Sequence, residues 1–282
     1  MSTDFSPTAE LFGRDLVLTD SDYQRICTLI YQRAGIVLAD NKREMVYSRL
    51  SKRLRLHGMT HFTEYLDRLA QQPRAREWEA FTNALTTNLT AFFREAHHFP
   101  LLAEHVKQCK GRPVRIWCAA ASTGEEPYSI AMTLIEALGS SLASQAQIIA
   151  SDIDTDTLAR AQMGVYPLQQ VLDLGEERVK RFFLKGSGER SGLARVRPEL
   201  SKMVEFRQIN LHAPNWGVEG PFDAVFCRNI MIYFDKPSQA KILQRLVPLM
   251  HPEGLLFTGH SENFTALTND FRLRGQTVYT LR

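Results

Sequence analysis

A chain of 282 residues that is 44% hydrophobic and 23% charged can bury a sizeable core, as one large or two modest domains. A net charge of +3 is too small to mark a nucleic-acid binder by itself, no run approaches the ~18 apolar residues of a membrane span, and the polar start MSTDFSPTAE lacks the charged-then-apolar order of a signal peptide. A cytoplasmic protein is expected, and Cys27, Cys109, Cys118 and Cys227, far apart and without Cys-x-x-Cys spacing, are expected to be reduced thiols.

Up to about residue 112 the pattern is helical only. SDYQRICTLIYQRAG and HFTEYLDRLA carry apolar residues three and four apart, with Asp20 or Ser21 as cap and Gly35 as stop. This predicts a helical domain over 1–85 and a linker helix over 86–112. Between Lys42 and Arg55, six basic residues stand against Glu44 alone. Val46, Leu50 and Leu54 recur every four residues and are expected to pack inward, leaving Arg49, Lys52 and Arg53 on a basic outer face. Such a face suits an acidic helical partner or is simply solvated. No helix-turn-helix or zinc motif accompanies it to favour nucleic acid.

In TTNLTAFFREAHHF, Asn88, Thr90 and Arg94 surround Phe92 and Phe93. On a helix Thr90 and Arg94 share one face, and an Arg among aromatics suits the orientation of a carboxylate; a surface Arg beside core phenylalanines gives the same pattern. The histidines here and His260 in GHSE fit packing or surface roles, and no metal is expected.

From 113 to 282, β-rich runs alternate with helical ones: VRIWCA, a helix to about Leu138, QIIASDID, MVEFRQINL, FDAVFCRN, a helix over SQAKILQRLVPLM, GLLFTGH and TVYTLR. That alternation predicts an α/β fold, a mostly parallel sheet with helices on both faces. Ligands of such sheets lie at the carboxyl ends of the strands. The residues there are Ala119 to Glu126, Asp152, Asn210, Leu211, Arg228 and Asn229. Asp152 suits the two hydroxyls of a ribose, or the capping of the next helix. With only Gly124 in the first loop, a pyrophosphate is poorly served. A zwitterion, its ammonium toward Glu125 and its carboxylate toward the helix N-terminus, suits the loop better. S-adenosylmethionine has such an end, although Glu125 and Glu126 also simply favour the helix dipole.

A small β-subdomain is expected at about 164–205, with a short strand at Leu193 to Val196. Gly186, Gly188 and Gly192 permit a hairpin, and an edge strand at Ala194, Arg195 and Arg197 is expected to accept an extended peptide or to cover the ligand.

TTNLTAFFRE, AAASTGEEPYSIAM, ASDID and FDAVFCRNIMIYFD, in this order, closely resemble the bacterial chemotaxis receptor methyltransferases, the CheR family. The resemblance runs essentially end to end. It implies a Rossmann-like S-adenosylmethionine methyltransferase sheet with a β insertion after an all-α N-terminal domain, forming glutamyl methyl esters on the cytoplasmic helices of chemoreceptors. It places Asn88, Thr90, Arg94, Glu125, Asp152, Asn210, Leu211, Arg228 and Asn229 around the cofactor, with Arg94 and Tyr233 nearest the transferred methyl. Some members tether a receptor C-terminal peptide through the inserted subdomain, and Gly188, Gly192, Ala194, Arg195 and Arg197 are the candidates here. A monomer acting on receptors, neither on nucleic acid nor inserted in a membrane, is expected. Two alternatives stay open. A nucleic-acid methyltransferase usually needs a base-flipping pocket, often with an Asn/Asp-Pro-Pro-Tyr-like run where this chain reads CRNIMIYF. A non-catalytic adaptor is expected to lose Arg94 or Tyr233, and both are present.

Overall fold

The computed structural model describes residues 16–109 and 112–282. Its described residues divide into two compact units: 16–33 with Val37–Leu85, and Ala34–Ile36 with Thr86–Arg282. Residues 1–15 of the expected helical domain lie outside the described residues.

The first unit is helical: α1 (Asp20–Ala34), α2 (Arg43–Leu56), α3 (Phe62–Gln71) and α4 (Glu77–Leu85). The start of α1 is capped one residue earlier than expected. Thr19 Oγ1 donates to Asp22 at 2.6 Å and accepts from the Asp22 amide at 3.1 Å, a reciprocal box that satisfies a donor of the first turn. Gly35, at φ +70°, ends the helix. Val46, Leu50 and Leu54 are fully buried, as their four-residue spacing requires, alongside Ile26, Ile30, Phe62, Leu66 and Phe81.

The basic outer face of α2 is smaller than the sequence suggests. Arg53 is turned into the unit, where Nε donates to Glu77 Oε1 at 3.0 Å and a second nitrogen reaches Oε2. Tyr65 donates to the same carboxylate at 2.7 Å and His57 Nε2 lies 2.8 Å from it. Arg49 donates to the Ala84 carbonyl at 3.3 Å, and Arg43 pairs with Asp20 at 2.7 Å. Lys42, Lys52 and Arg55 remain exposed. Helical spacing gave the buried face correctly; it could not show that a carboxylate 24 residues away draws Arg53 out of the basic one.

The second unit runs α5 (His98–Gln108), β1 (Arg115–Cys118), α6 (Glu125–Leu138), α7 (Ser140–Ala143), β2 (Gln147–Asp152), α8 (Thr155–Met163), β3 (Val165–Pro167), α9 (Leu168–Leu172), α10 (Glu176–Phe182), β4 (Phe183–Lys185), β5 (Leu193–Val196), α11 (Pro198–Ser201), β6 (Val204–Gln208), β7 (Phe222–Cys227), α12 (Lys236–Leu246), β8 (Met250–Thr258), β9 (Phe271–Gly275) and β10 (Val278–Leu281). The main sheet has the order β6-β2-β1-β7-β8-β10-β9. The first five of these pair in parallel, and β10 is antiparallel to both neighbours. Order reverses beside β1, which lies between β2 and β7, so the switch point falls at the loop after β1.

Alternate residues of the parallel strands supply two separate cores. Ile116, Cys118, Ile148, Ala150, Ala224 and Phe226 face one way, and Trp117, Ile149, Val225 and Cys227 the other. Burial on both faces accounts for the near-continuous apolar runs. The strand β9 escaped the sequence reading. Its residues FRLRG are mostly exposed, and arginines on an edge strand guard it against pairing with another chain.

The inserted subdomain is the antiparallel sheet β3-β5-β4. Here the edge-strand expectation fails. The strand β5 is central, with Ala194 opposite both Tyr166 and Lys185 and only 1% exposed, and Arg195 opposite Val165 and Leu184. Gly188 and Gly192 lie in the connection from β4 to β5, both at positive φ, and Arg197 caps α11. Among the described residues the edge strands of this sheet are β3 and β4.

The expected linker helix over 86–112 also fails at its start. Thr86–His97 is an irregular segment with Phe93 and Glu95 in the left-handed region (φ +52° and +54°), and only His98–Gln108 is helical. Thr90 and Arg94 therefore do not share a helical face. The Phe93 amide donates to Ser129 Oγ and the Arg94 carbonyl accepts from Arg228, so tertiary partners take the groups that a helix would have paired internally. All four cysteines are free thiols, and among the described residues no helix is long and apolar enough to cross a membrane.

The Glu77 cluster makes stability depend on acid. Burial raises the Glu77 carboxyl, but Arg53, His57 and Tyr65 outweigh it and hold its pKa at about 2. The folded value lies below the ordinary 4.5, so the stabilisation is complete above that pH and is lost as pH falls toward 2. Its ceiling is on the order of 3 kcal/mol. Urea titrations should show Glu77→Gln less stable near neutral pH and the gap to the parent closing between pH 4.5 and 2; a gap independent of pH would deny the cluster this role.

Candidate active site

The loop Ala119–Gly124 joins β1 to α6 at the switch point, and its shape is fixed by its neighbours. The Ala119 amide donates to Phe226 and the Ala121 amide to Ser151, both at 2.8 Å, tying the loop to β7 and β2. Ser122, at φ +48°, donates its amide to Asp152 Oδ2 at 2.8 Å and its hydroxyl to the Asn88 carbonyl at 3.1 Å. At Gly124, φ +99°, a Cβ would fall 2.7 Å from the Tyr166 hydroxyl and 2.9 Å from Ala161 Cβ. The one glycine is thus required by both backbone and packing.

Next to this loop is a shallow, mostly apolar crevice built from the ends of successive strands. Ala119 and Ala120 follow β1, Asp152 and Ile153 end β2, and Ile209, Asn210 and Leu211 follow β6. Ile230 and Phe234 come from the turn after β7, and Ala34 and Ile36 also border it. Asp152 is its acid. One oxygen accepts from Ser122 N and the other from Asp154 N at 3.0 Å, leaving each a further lone pair. Burial pushes the Asp152 carboxyl upward against those two amides.

The remaining expected site residues divide by use. Asn88 holds the irregular segment in place, donating to Asp154 Oδ2 at 2.8 Å while its carbonyl receives Ser122. Glu125 is buried in the first turn of α6, accepts from Thr123 Oγ1 at 2.6 Å, and is pushed upward by burial. Thr90 is half-buried in the irregular segment. Arg94 is half-buried too, with one nitrogen on the Leu89 carbonyl at 2.9 Å, which leaves most of its donors uncommitted. Tyr233 sits half-buried in a 3-10 turn (Met231–Tyr233), and among the described residues its hydroxyl makes no hydrogen bond.

Arg228 serves the scaffold instead of lining the crevice. It is 4% exposed, donates to Glu126 at 2.6 Å and to the Arg94 carbonyl, and lies 3.6 Å from Glu95. Asn229, at φ +56°, gives its amide to Glu262 at 2.9 Å and its side chain to Glu95 at 3.3 Å.

Three carboxylates of this framework were not read from the sequence. Glu262 is 4% exposed and accepts the amides of Asn229, Met231 and Gly259, clamping the turn that carries Tyr233. Asp154 caps α8 while gathering Thr86 and Asn88. Glu95 gathers Arg228, Asn229 and His260. Of these, only Asp154 left a local signal, as an Asp before the helical run TDTL. The other two act on partners distant in sequence.

Known proteins match nearly the whole chain in sequence. Residues 88–280 match the family model "CheR methyltransferase, SAM binding domain", and residues 21–86 match "CheR methyltransferase, all-alpha domain". A chemotaxis protein methyltransferase of Salmonella typhimurium is 57% identical over 266 residues, spanning 94% of this chain and 92% of that protein. One of Escherichia coli is 56% identical with the same coverage. Chemotaxis protein methyltransferase 2 of Pseudomonas aeruginosa is 52% identical over 98% of both chains.

Arg228 should be among the least replaceable residues of the unit. Arg228→Met removes the guanidinium and leaves the carboxyls of Glu126 and Glu95 without their cation, for an expected loss of about 3–5 kcal/mol in urea unfolding. The exposed pair Arg25–Asp67 supplies the contrast, with Asp67→Asn expected to cost about 0–1 kcal/mol. Equal effects of the two changes would remove Arg228 from this role.

Proposed function

The chain belongs to the CheR family of S-adenosylmethionine-dependent methyltransferases acting on chemoreceptors, and we propose that it forms glutamyl methyl esters on the receptors' cytoplasmic helices. The observation that carries this reading is the Asp152-bearing crevice at the switch point. Its apolar walls fit an adenine, Asp152 has lone pairs for two ribose hydroxyls, and Ala119 and Ala120 admit the nucleoside close to the backbone. Glu125, in the first turn of α6, answers the ammonium of the amino-acid end. When bound, S-adenosylmethionine supplies a sulfonium-activated methyl whose transfer to a carboxylate oxygen leaves S-adenosylhomocysteine.

The protein's share is positioning. A glutamate is ionised at neutral pH and is already nucleophilic, so no general base is needed. Arg94 holds the acceptor carboxylate through its uncommitted nitrogens, assisted by the Tyr233 hydroxyl. Both groups are half-buried, which suits this role because a fully desolvated Arg–carboxylate pair would stabilise the ground state and slow attack.

Receptor recognition falls to the all-α domain, through the exposed cations Lys52 and Arg55 of α2, with Arg49 at their border. Arg53 no longer belongs to this surface, because its reversal would set a glutamate against Glu77. A receptor C-terminal peptide, where one is used, adds to the free edge of β4 in place of β5.

The reaction is tested by incubating the protein with radiolabelled S-adenosylmethionine and receptor cytoplasmic fragments. Label released by mild alkali supports an ester; stable label or none overturns it. Asp152→Ala should weaken S-adenosylhomocysteine binding at least ~10-fold by calorimetry, through loss of charged hydrogen bonds. Tyr233→Phe should slow transfer with that affinity nearly unchanged. The reverse pattern would exchange the two assignments.

Recognition is tested separately. Reversing both Lys52 and Arg55 to Glu should lower kcat/KM for receptor fragments with or without the C-terminal tail, and parental activity should fall with salt as the screening length drops below ~10 Å. Removing the tail should weaken capture in both proteins alike. Unchanged kcat/KM at low salt would exclude the face.

A further inference from the structure

Two histidines and a glutamate meet where the irregular segment enters α5. His98 is fully buried, with Nε2 3.0 Å from Thr277 Oγ1. The Thr277 hydroxyl donates to the Gln276 carbonyl, so its oxygen must accept from His98 and the His98 proton resides on Nε2. His97 Nε2 lies 3.1 Å from the same carbonyl, which can only accept, so its proton also resides on Nε2. Both rings therefore carry a bare lone pair on Nδ1.

Among the described residues, buried His98 Nδ1 has no hydrogen-bond partner, and neither does buried Glu95 Oε2, 3.9 Å away. Two acceptors facing each other out of water leave both unsatisfied. Arg228 does not fill the gap. Its nearest nitrogen is 3.6 Å from Glu95 Oε2, and it is already paired with Glu126 at 2.6 Å. Two carboxylates around one guanidinium leave negative charge in excess. One ligand atom from each of Glu95, His97 and His98 lies within 4.8 Å of the others.

We propose that Glu95, His97 and His98 form a binding site for a divalent transition cation of the zinc class. Imidazole and carboxylate donors suit Zn²⁺, and three protein ligands leave one position of a tetrahedron to water. Each histidine anchors its other ring nitrogen on a backbone carbonyl or a hydroxyl, the support that orients metal-binding imidazoles. The absence of a metal expected from the sequence is thereby revised: EAHHF has no spacing of a familiar metal motif, and the site arises because the turn at Glu95 brings its carboxylate back over His98.

The experiment uses the full chain, stripped with chelator and dialysed. Zn²⁺ is titrated against a chromophoric chelator, and Co²⁺ binding is followed by its visible ligand-field absorption. One saturable equivalent per chain is expected, with His97→Gln and His98→Gln each weakening it at least ~10-fold. His97 is exposed, so its variant keeps the test valid if the buried substitution impairs folding. His251→Gln, away from the cluster, should leave affinity unchanged. Absence of a stoichiometric equivalent, or uptake unaffected by His97→Gln, overturns the site.

Discussion

A guanidinium in the interior cannot stand alone, and the catalytic unit is organised around this constraint at Arg228. Withdrawing such a charge from water costs several kcal/mol unless carboxylates and carbonyls surround it. Glu126 reaches it from the first turn of α6, while Glu95 and the Arg94 carbonyl reach it from the irregular segment. One side chain at the end of β7 thereby fixes the start of the helix beside the crevice and the segment that carries Arg94. The ion pair's net contribution to stability is modest. Its consequence is geometric, since none of the three elements can shift without stranding a buried charge.

The same logic recurs on a smaller scale around the crevice. Asp152 receives one amide from its own turn and one from the loop after β1, so the acid assigned to the ribose also sets the height of the loop beneath it. Glu262 does the same for Asn229–Met231. Buried carboxylates accepting backbone amides make a rigid frame, and that frame suits a reaction in which the acceptor is already nucleophilic. Alignment is what remains to be provided, and rigid frames provide it.

Much of the strain lies in the same place. Besides Gln276 and Thr277, in the turn from β9 to β10, the described residues that hold positive φ without being glycine are Phe93, Glu95, Ser122 and Asn229, and these four belong to the loops that carry the proposed site. Their partners are Ser129, Arg228, Asp152 and Glu262, which are groups of the frame. The conformations persist because the surrounding contacts determine them.

Local periodicity and end-of-strand position made much of this protein legible. The alternation of apolar β-rich runs such as Ile116–Trp117–Cys118 and Val225–Phe226–Cys227 with helical ones gave the doubly covered sheet, the spacing of Val46, Leu50 and Leu54 gave the buried face of α2, and Asp152, Asn210 and Leu211 fell at the crevice because a parallel sheet presents its strand ends together. The family was legible because four motifs keep their order. Other features depended on partners that no local pattern contains. The irregular course of Thr86–His97, the inward turn of Arg53, the central place of β5, the withdrawal of Arg228 from the crevice and the meeting of Glu95 with His97 and His98 each follow from a contact made across the fold. Sequence determined which side chains prefer burial and which faces they share; tertiary structure decided which buried charges and donors would find each other, because a polar group inside a protein takes whatever partner the packed chain brings within reach.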